Sequence, residues 1–265
     1  YLGVRGAYVG TGIDGDVHYP GSYITGLYNL QDTEVEGRTI YNNDFVNTPN
    51  WLRVDCNVHG GKALRPTEQT VTRWEHRLDM ESATTGHLME FKDEEGRETR
   101  IESNRFVSMD SPHLAVLDYT VTPLNYSGNV TIRSALDGDV INYGVERYRP
   151  LESKHLEAGK TSVAGEDIRL ESRTNRSKIT ISLQAHNELY VDERLYEGDR
   201  SVEEGSSLIA ETFSLQVSQG RSYRLEKIVW IATDRPWPIE ERDMPKLKVL
   251  RYHELLASHR RKWRE

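Results

Sequence analysis

Residues 114–122 have the sequence Leu-Ala-Val-Leu-Asp-Tyr-Thr-Val-Thr, whose side chains alternate in direction when the chain is extended. One face carries only apolar and aromatic side chains, those of Ala115, Leu117, Tyr119 and Val121. The opposite face begins apolar, with Leu114 and Val116, and continues polar, with Asp118 and Thr120. Such a period of two indicates a β-strand with one face in a core, as in an antiparallel sheet.

The same alternation recurs along most of the chain. It is found in residues 71–80, 130–136, 168–172, 178–185, 209–217 and 223–232. Turn-forming groups of Gly, Asn, Asp and Ser separate these stretches, for example at residues 125–128 and 219–220. Many short strands at hairpin spacing predict an all-β fold, either a sandwich or a barrel.

Two regions depart from this pattern. The first 70 or so residues are rich in Gly, Tyr and Asn, which indicates strands that carry long loops. Near the other end, Pro236 and Pro238 end the sheet, and residues 244–265 predict a helix. Its apolar residues at helical spacing are Val249, Tyr252, Leu256 and Trp263. This helix either packs on the sheet of its own chain or leads into a following domain, and the absence of a C-terminal cap favours a continuing chain.

Composition limits the function classes. The 265 residues carry a net charge of −8, and the basic clusters, such as residues 260–262, are short. A nucleic-acid partner is therefore not expected, because such partners require a basic patch. No apolar window is long enough to span a membrane, so no membrane partner is expected. The single cysteine, Cys56, cannot form an internal disulfide, and no Cys/His spacing resembles a zinc site, which favours a reducing, cytoplasmic location.

A catalytic site is hard to find in this sequence. It contains no Gly-x-Ser-x-Gly elbow and no phosphate-binding loop. Asp14 with Asp16, or Asp137 with Asp139, could form a carboxylate pair for glycosidic acid–base chemistry. Acids that alternate with glycines are more typical of turns, so no catalytic residue and no metal site is predicted in either pair.

Aromatic residues are concentrated in the loop-like segments. They are Tyr19, Tyr23, Tyr28, Tyr41, Trp51, Tyr143 and Tyr148. Aromatic faces bury a large area at low entropic cost, so they can stack on the apolar faces of sugar rings. They can equally pin long loops onto a sandwich, and for any one of these residues the structural role is favoured.

Several segments of the chain form a set with a characteristic order and spacing. They are Tyr-Leu-Gly-Val-Arg-Gly at residues 1–6, Gly-Ser-Tyr-Ile-Thr-Gly-Leu-Tyr at residues 21–28, Asn-Thr-Pro-Asn-Trp-Leu at residues 47–52, and residues 105–108, 114–117 and 122–125. Together they resemble the N-terminal domain of glycoside hydrolase family 65, which includes maltose, trehalose, kojibiose and nigerose phosphorylases. The first segment is similar to the latter part of the family's Asn-Gly-Tyr-Leu-Gly-Val-Arg-Gly signature, the next two resemble its following loops, and the last three resemble a strand pair of the same domain. Their order and spacing match from the first residue to the terminal helix.

This resemblance implies a fold and a domain order. Residues 1–240 are expected to form a large two-sheet antiparallel β-sandwich of the super-sandwich, galactose mutarotase-like type. Residues 241–265 are expected to begin a helical linker toward an (α/α)6 barrel, which would be the chain's partner.

The resemblance also implies an activity for the parent protein. Family phosphorylases cleave an α-glucoside, a disaccharide, with inorganic phosphate as co-substrate, invert the anomeric centre and release β-glucose 1-phosphate. One glutamate protonates the leaving oxygen. Phosphate is already an anionic nucleophile, so no second carboxylate is needed to activate water. In this family both the glutamate and the phosphate site lie in the barrel, so no catalytic residue is carried over. The chain itself is expected to be inactive, without a cofactor, and to belong to a cytoplasmic homodimer.

Five residues of the loop-rich region are predicted to face the barrel or the edge of its pocket: Tyr1, Arg5, Tyr23, Asn50 and Trp51. Other functions remain open at this point. The chain could be a self-standing carbohydrate-binding module, or a domain of a family 65 hydrolase similar to trehalases. A hydrolase built from this chain alone lacks a convincing carboxylate pair.

Overall fold

The computed structural model describes residues 2–5, 19–66, 70–143, 151–235 and 244–265. The strands of this part of the chain are β1 (Leu2–Arg5), β2 (Gly21–Ile24), β3 (Tyr28–Val35), β4 (Arg38–Phe45), β5 (Val54–Val58), β6 (Thr70–Asp79), β7 (Thr84–Lys92), β8 (Glu98–Val107), β9 (Leu114–Pro123), β10 (Gly128–Asp137), β11 (Lys160–Ala164), β12 (Asp167–Arg173), β13 (Thr180–Val191), β14 (Arg194–Leu195), β15 (Arg200–Glu204), β16 (Leu208–Val217) and β17 (Tyr223–Thr233). A 3₁₀ turn (Leu247–Val249) and helix α1 (Tyr252–Arg264) follow.

Two antiparallel sheets form the body of the domain. Within the described residues, the larger sheet has nine strands in the order β11-β12-β13-β17-β9-β8-β7-β6, with β14 paired to β13. The smaller sheet has four strands in the order β15-β16-β10-β5. Two further two-stranded sheets are formed by β1 with β2 and by the β3–β4 hairpin. This architecture confirms the predicted β-sandwich.

Strand β9 lies inside the larger sheet, between β17 and β8, and is buried on both faces. Its odd-numbered side chains, such as Leu117 and Val121, face the core between the two sheets. Leu114 and Val116 point the other way, into a second apolar cluster that includes Leu255 of α1. The apolar start of the second face in the sequence is thus explained by the helix that covers it.

The main core is formed where the smaller sheet covers the larger one. Ile132 and Leu136 of β10 are fully buried in the same cluster as Leu183 of β13 and Val229 of β17. Each such side chain contributes about 1.5–3 kcal/mol by leaving water. The hydrophobic free energy gained by burying this cluster holds the two sheets together.

Strand β6 differs from the sequence-based expectation. Alternation over residues 71–80 predicts one buried face, yet Trp74 and Leu78 are exposed. The reason is position, since β6 is the last strand of the larger sheet, and Val71 near its start packs against the core cluster whereas Trp74 and Leu78 do not. Apolar alternation therefore predicts the strand here but not its burial.

Helix α1 packs on the outer face of the larger sheet. Tyr252 and Leu255 are buried against it, and the ring of Tyr252 meets Phe106 edge-on at 5.9 Å. The indole Nε1–H of Trp263 donates to the Met80 carbonyl at 2.8 Å. The helix begins at Tyr252, so Val249 lies in the preceding 3₁₀ turn and is exposed. The predicted domain boundary at residue 240 falls outside the described residues. Among the helices described, none is long and apolar enough to cross a bilayer.

Candidate functional site

The hairpin of β3 and β4 carries an exposed aromatic surface. Tyr28 lies opposite Phe45, and Leu30 and Tyr41 follow on the same face. Tyr41 is 70% exposed and Tyr28 is 47% exposed. The two strands are joined by a tight turn in which Glu36 and Gly37 both have positive φ, the geometry that matches the twist of a hairpin.

Tyr23 of β2 extends this surface. Its ring stacks on Phe45 with the ring centroids 5.1 Å apart, and the ring centroid of Tyr28 is 5.3 Å from that of Phe45. The residues Tyr23, Tyr28, Leu30, Tyr41 and Phe45 are called the hairpin face below. Exposed aromatic and aliphatic side chains that cluster in this way are typical of a surface that binds another molecule.

The opposite side of the hairpin is fixed to the domain by polar contacts. Asn29 is buried, and its Nδ2 donates to His155 Nδ1 at 3.0 Å and to Asn175 Oδ1 at 2.8 Å. Its Oδ1 accepts from the Ser177 backbone N–H at 2.9 Å. Burial lowers the pKa of His155, which favours the neutral ring, and a neutral ring with its proton on Nε2 accepts this bond at Nδ1. These bonds hold the hairpin in one orientation, so the hairpin face is presented by a fixed element.

The predicted site residues are separated by the structure. Tyr23 lies on the hairpin face, whereas Asn50 and Trp51 are buried within the domain. Tyr1 lies outside the described residues, and of Arg5 only the backbone, in β1, is described. The expectation that these five residues face a barrel stays a prediction, and among Tyr23, Asn50 and Trp51 only Tyr23 is on an exposed face.

Asn50 and Asp137 form a structural bridge. The Asn50 N–H donates to the Asp137 carbonyl at 2.7 Å, and the Asp137 N–H donates back at 3.1 Å. The side chain of Asn50 accepts from the Leu52 N–H at 2.9 Å. The carboxylate of Asp137 is held by Arg53 at 2.5 Å, and that of Asp139 by Lys154. Asp137 and Asp139 thus have structural partners; the other candidate pair, at residues 14 and 16, lies outside the described residues.

Trp51 lines a partly open cavity of about 200 Å³. Its walls include Val4 of β1, Thr85 of β7, Arg105 of β8 and His259 of α1. Arg105 is only 8% exposed, and burial lowers its pKa to about 10. Sequence reasoning missed Arg105 as a candidate, because alternation marks it only as an inward-facing polar residue.

His259, in the wall of this cavity, is neutral, and both of its ring nitrogens are hydrogen-bonded. Its Nδ1 accepts from the Met109 backbone N–H at 3.2 Å, and its Nε2–H donates to the Ser82 carbonyl at 2.9 Å. A ring that accepts at one nitrogen and donates at the other carries one proton. Burial also lowers its pKa, which favours the neutral form.

A buried lysine links the two sheets. Lys227 of β17 is fully buried and donates from Nζ to the Ala135 carbonyl of β10 at 2.7 Å. Burial lowers its pKa to about 7. Beside it, Asn187 accepts from Ser134 Oγ at 2.8 Å and donates to Glu211 at 2.8 Å. These groups are enclosed by the core and have the geometry of a structural network.

Metal binding finds no support in the described ranges, where no group of three or more His, Cys, Asp or Glu side chains is arranged to hold an ion. Sequence reasoning also missed Leu30 and Phe45 of the hairpin face. The sequence does carry a signal for them. Tyr28 and Leu30 are two residues apart, and Tyr41 and Phe45 are four residues apart, so each pair lies on one face of an extended strand, on either side of a Gly-containing turn.

Comparison with known proteins identifies similar chains. The family model described as "Glycosyl hydrolase family 65, N-terminal domain" matches residues 1–265. An uncharacterized glycosyl hydrolase of Mycobacterium tuberculosis is 32% identical over 267 residues, covering 99% of this chain and 20% of the relative. A kojibiose phosphorylase of Caldanaerobacter subterraneus subsp. tengcongensis is 30% identical over 192 residues, covering 72% of this chain and 23% of the relative. A trehalose 6-phosphate phosphorylase of Lactococcus lactis subsp. lactis is 27% identical, covering 88% and 28%.

A solved structure shares the fold. A human-microbiome protein, provisionally assigned as a kojibiose phosphorylase, superimposes with a TM-score of 0.81 at 15% identity. The match covers the whole of this chain and 34% of that one. The chain thus spans about a fifth to a third of the length of the proteins it matches.

Proposed function

This chain belongs to the N-terminal domain family of glycosyl hydrolase family 65, and we propose that it is a non-catalytic domain that docks onto the catalytic barrel of a disaccharide phosphorylase. The proposal rests on the hairpin face, an exposed aromatic surface held on a rigid hairpin. Docking a second domain there would remove these rings from water, at about 25 cal/mol for each Å² of apolar area.

The activity belongs to the longer protein in this proposal. It would cleave an α-glucoside of the maltose, trehalose or kojibiose type with inorganic phosphate, with inversion, and release β-glucose 1-phosphate. The names of the relatives support a phosphorylase of this group. The domain would support the barrel and the rim of its pocket, in a cytoplasmic homodimer.

Removing the aromatic rings of the hairpin face tests the docking. We expect the double variant Tyr28→Ser with Tyr41→Ser to destabilise the longer protein by about 2 kcal/mol, because truncated aromatic anchors of an interface typically cost this much. The 265-residue chain alone should lose little stability, since both rings are exposed in it. Urea unfolding of both proteins gives the two values. Leu195→Ser is the matched control, an exposed apolar side chain on β14, and should change neither protein.

A sugar-binding module is the second candidate function, because exposed tyrosine rings can also stack on sugars. The two functions are separated by titrating the chain with maltose, trehalose and kojibiose. Docking predicts no binding at tens of millimolar sugar. Saturable binding at millimolar sugar, lost in the double variant, would favour the module. Equal stability losses in the longer protein and the chain alone would contradict docking.

A further inference from the structure

We infer that the cavity between β1, the adjacent ends of β7 and β8, and α1 binds a small oxyanion, a phosphate or a carboxylate, through Arg105 and the indole N–H of Trp51. Both residues line this space of about 200 Å³. A water molecule takes about 30 Å³ of the liquid, so the cavity has room for a phosphate-sized ion.

The polar side chains that line the cavity can donate hydrogen bonds. Trp51 offers only an N–H, and the guanidinium of Arg105 offers five N–H groups and no acceptor. Thr85 adds a hydroxyl. Both ring nitrogens of His259 are already engaged with the backbone, so this residue contributes neither a charge nor a spare donor. None of the described residues that line the cavity carries a carboxylate. A wall of donors around a cation selects a ligand rich in acceptors.

The indole of Trp51 is the independent observation that points to a ligand. Its side chain is fully buried, and among the described residues Nε1 has no hydrogen-bond partner. Buried donors in folded proteins are nearly always paired, and those that are not call for an explanation such as a bound ion. An oxyanion in the cavity would supply the missing acceptor.

Arg105 provides the charge and the geometry. Its guanidinium is largely removed from water, where interactions between charges are stronger than at the surface. The planar fork binds carboxylate and phosphate oxygens with two parallel hydrogen bonds. Because five donors are present, one guanidinium can hold an anion and a protein partner at the same time.

An NMR titration distinguishes the two classes of oxyanion, phosphate and carboxylate. The 265-residue chain is labelled with ¹⁵N-tryptophan, and the indole signal of Trp51 is identified as the one absent from Trp51→Phe. Inorganic phosphate, acetate and methyl α-glucoside are then titrated separately at constant ionic strength. We expect the Trp51 signal to shift saturably with phosphate or with acetate, and not with the neutral sugar. Saturation by phosphate alone identifies a phosphoryl ligand, and saturation by acetate alone identifies a carboxylate.

Variants connect the signal to the cavity. Arg105→Met should weaken anion binding roughly tenfold or more, as expected for loss of a charged hydrogen-bond partner. Arg100→Met is the matched control, because Arg100 lies on the same strand, in a half-buried pair with Glu90, and it should leave binding unchanged. If Arg105→Met does not fold, Arg105→Lys and Thr85→Val replace it, and each should weaken binding. The proposal is overturned if the Trp51 signal does not shift with either anion at tens of millimolar. It is also overturned if the folded Arg105 and Thr85 variants bind the anion as tightly as the unmodified chain.

Discussion

Trp51→Ala is expected to destabilise the 265-residue chain by about 3–5 kcal/mol, the usual cost of truncating a buried tryptophan. Trp51 is among the largest fully buried side chains and belongs to the main core cluster. It also lies next to an existing cavity, so the space left by the indole would join that cavity rather than collapse. Urea unfolding at neutral pH measures the change. In the longer protein the same substitution should lower the yield of folded enzyme or its activity.

Two variants make this prediction specific. Trp51→Phe should cost far less than Trp51→Ala, because it keeps most of the ring and removes an N–H that has no partner among the described residues. Trp74→Ala removes a partly exposed indole from edge strand β6 and should cost about 1 kcal/mol or less. Unchanged melting of Trp51→Ala, with unchanged kinetics of the longer protein, would show that Trp51 has neither a core role nor a role at a domain interface.

The second large effect is a rise in stability with pH that depends on Lys227. The folded chain holds this amine at a pKa of about 7, against 10.5 for an ordinary lysine. Between these values the unfolded chain binds a proton that the folded chain does not, so the free energy of unfolding increases as pH rises. The cause is burial of a cation that donates to main-chain carbonyls, those of Arg53 and Ala135.

We expect the gain to be about 2 kcal/mol between pH 7 and pH 8.5, from about 1.4 kcal/mol per pH unit. Measurement should stop near pH 8.5, because burial raises the pKa of Cys56 to about 12 and its contribution has the opposite sign above pH 9. Lys227→Met should flatten this rise. Lys160→Met, at an exposed lysine of β11, should preserve it. Equal slopes in Lys227→Met and the unmodified chain would contradict the buried charge.

Much of the fold follows from local sequence pattern. Residues 114–122 predict a strand, and β9 is that strand, because alternation is a local property. What covers each face is not local. The even-numbered face of β9 is buried by a helix more than 120 residues away in the chain, which periodicity cannot reveal. In the same way, the pattern at Trp74 predicts an extended strand and says nothing of its place at a sheet edge.

The candidate site was less predictable for a related reason. Tyr23, Tyr28 and Tyr41 are visible in the sequence as loop-region aromatics, but only the register of β3 with β4 places them with Phe45. The cavity joins Trp51, Arg105 and His259, which are far apart in the sequence. No local motif links them, since three separate elements bring them together.

We propose that this chain is the non-catalytic part of a disaccharide phosphorylase. This proposal is tested most directly by incubating the longer protein, and separately the 265-residue chain, with kojibiose, trehalose or maltose, with and without inorganic phosphate. We expect the longer protein to form β-glucose 1-phosphate from at least one of these sugars only when phosphate is present, and the chain alone to form no product. Product from the chain alone, or glucose release by the longer protein at the same rate without phosphate, would contradict it.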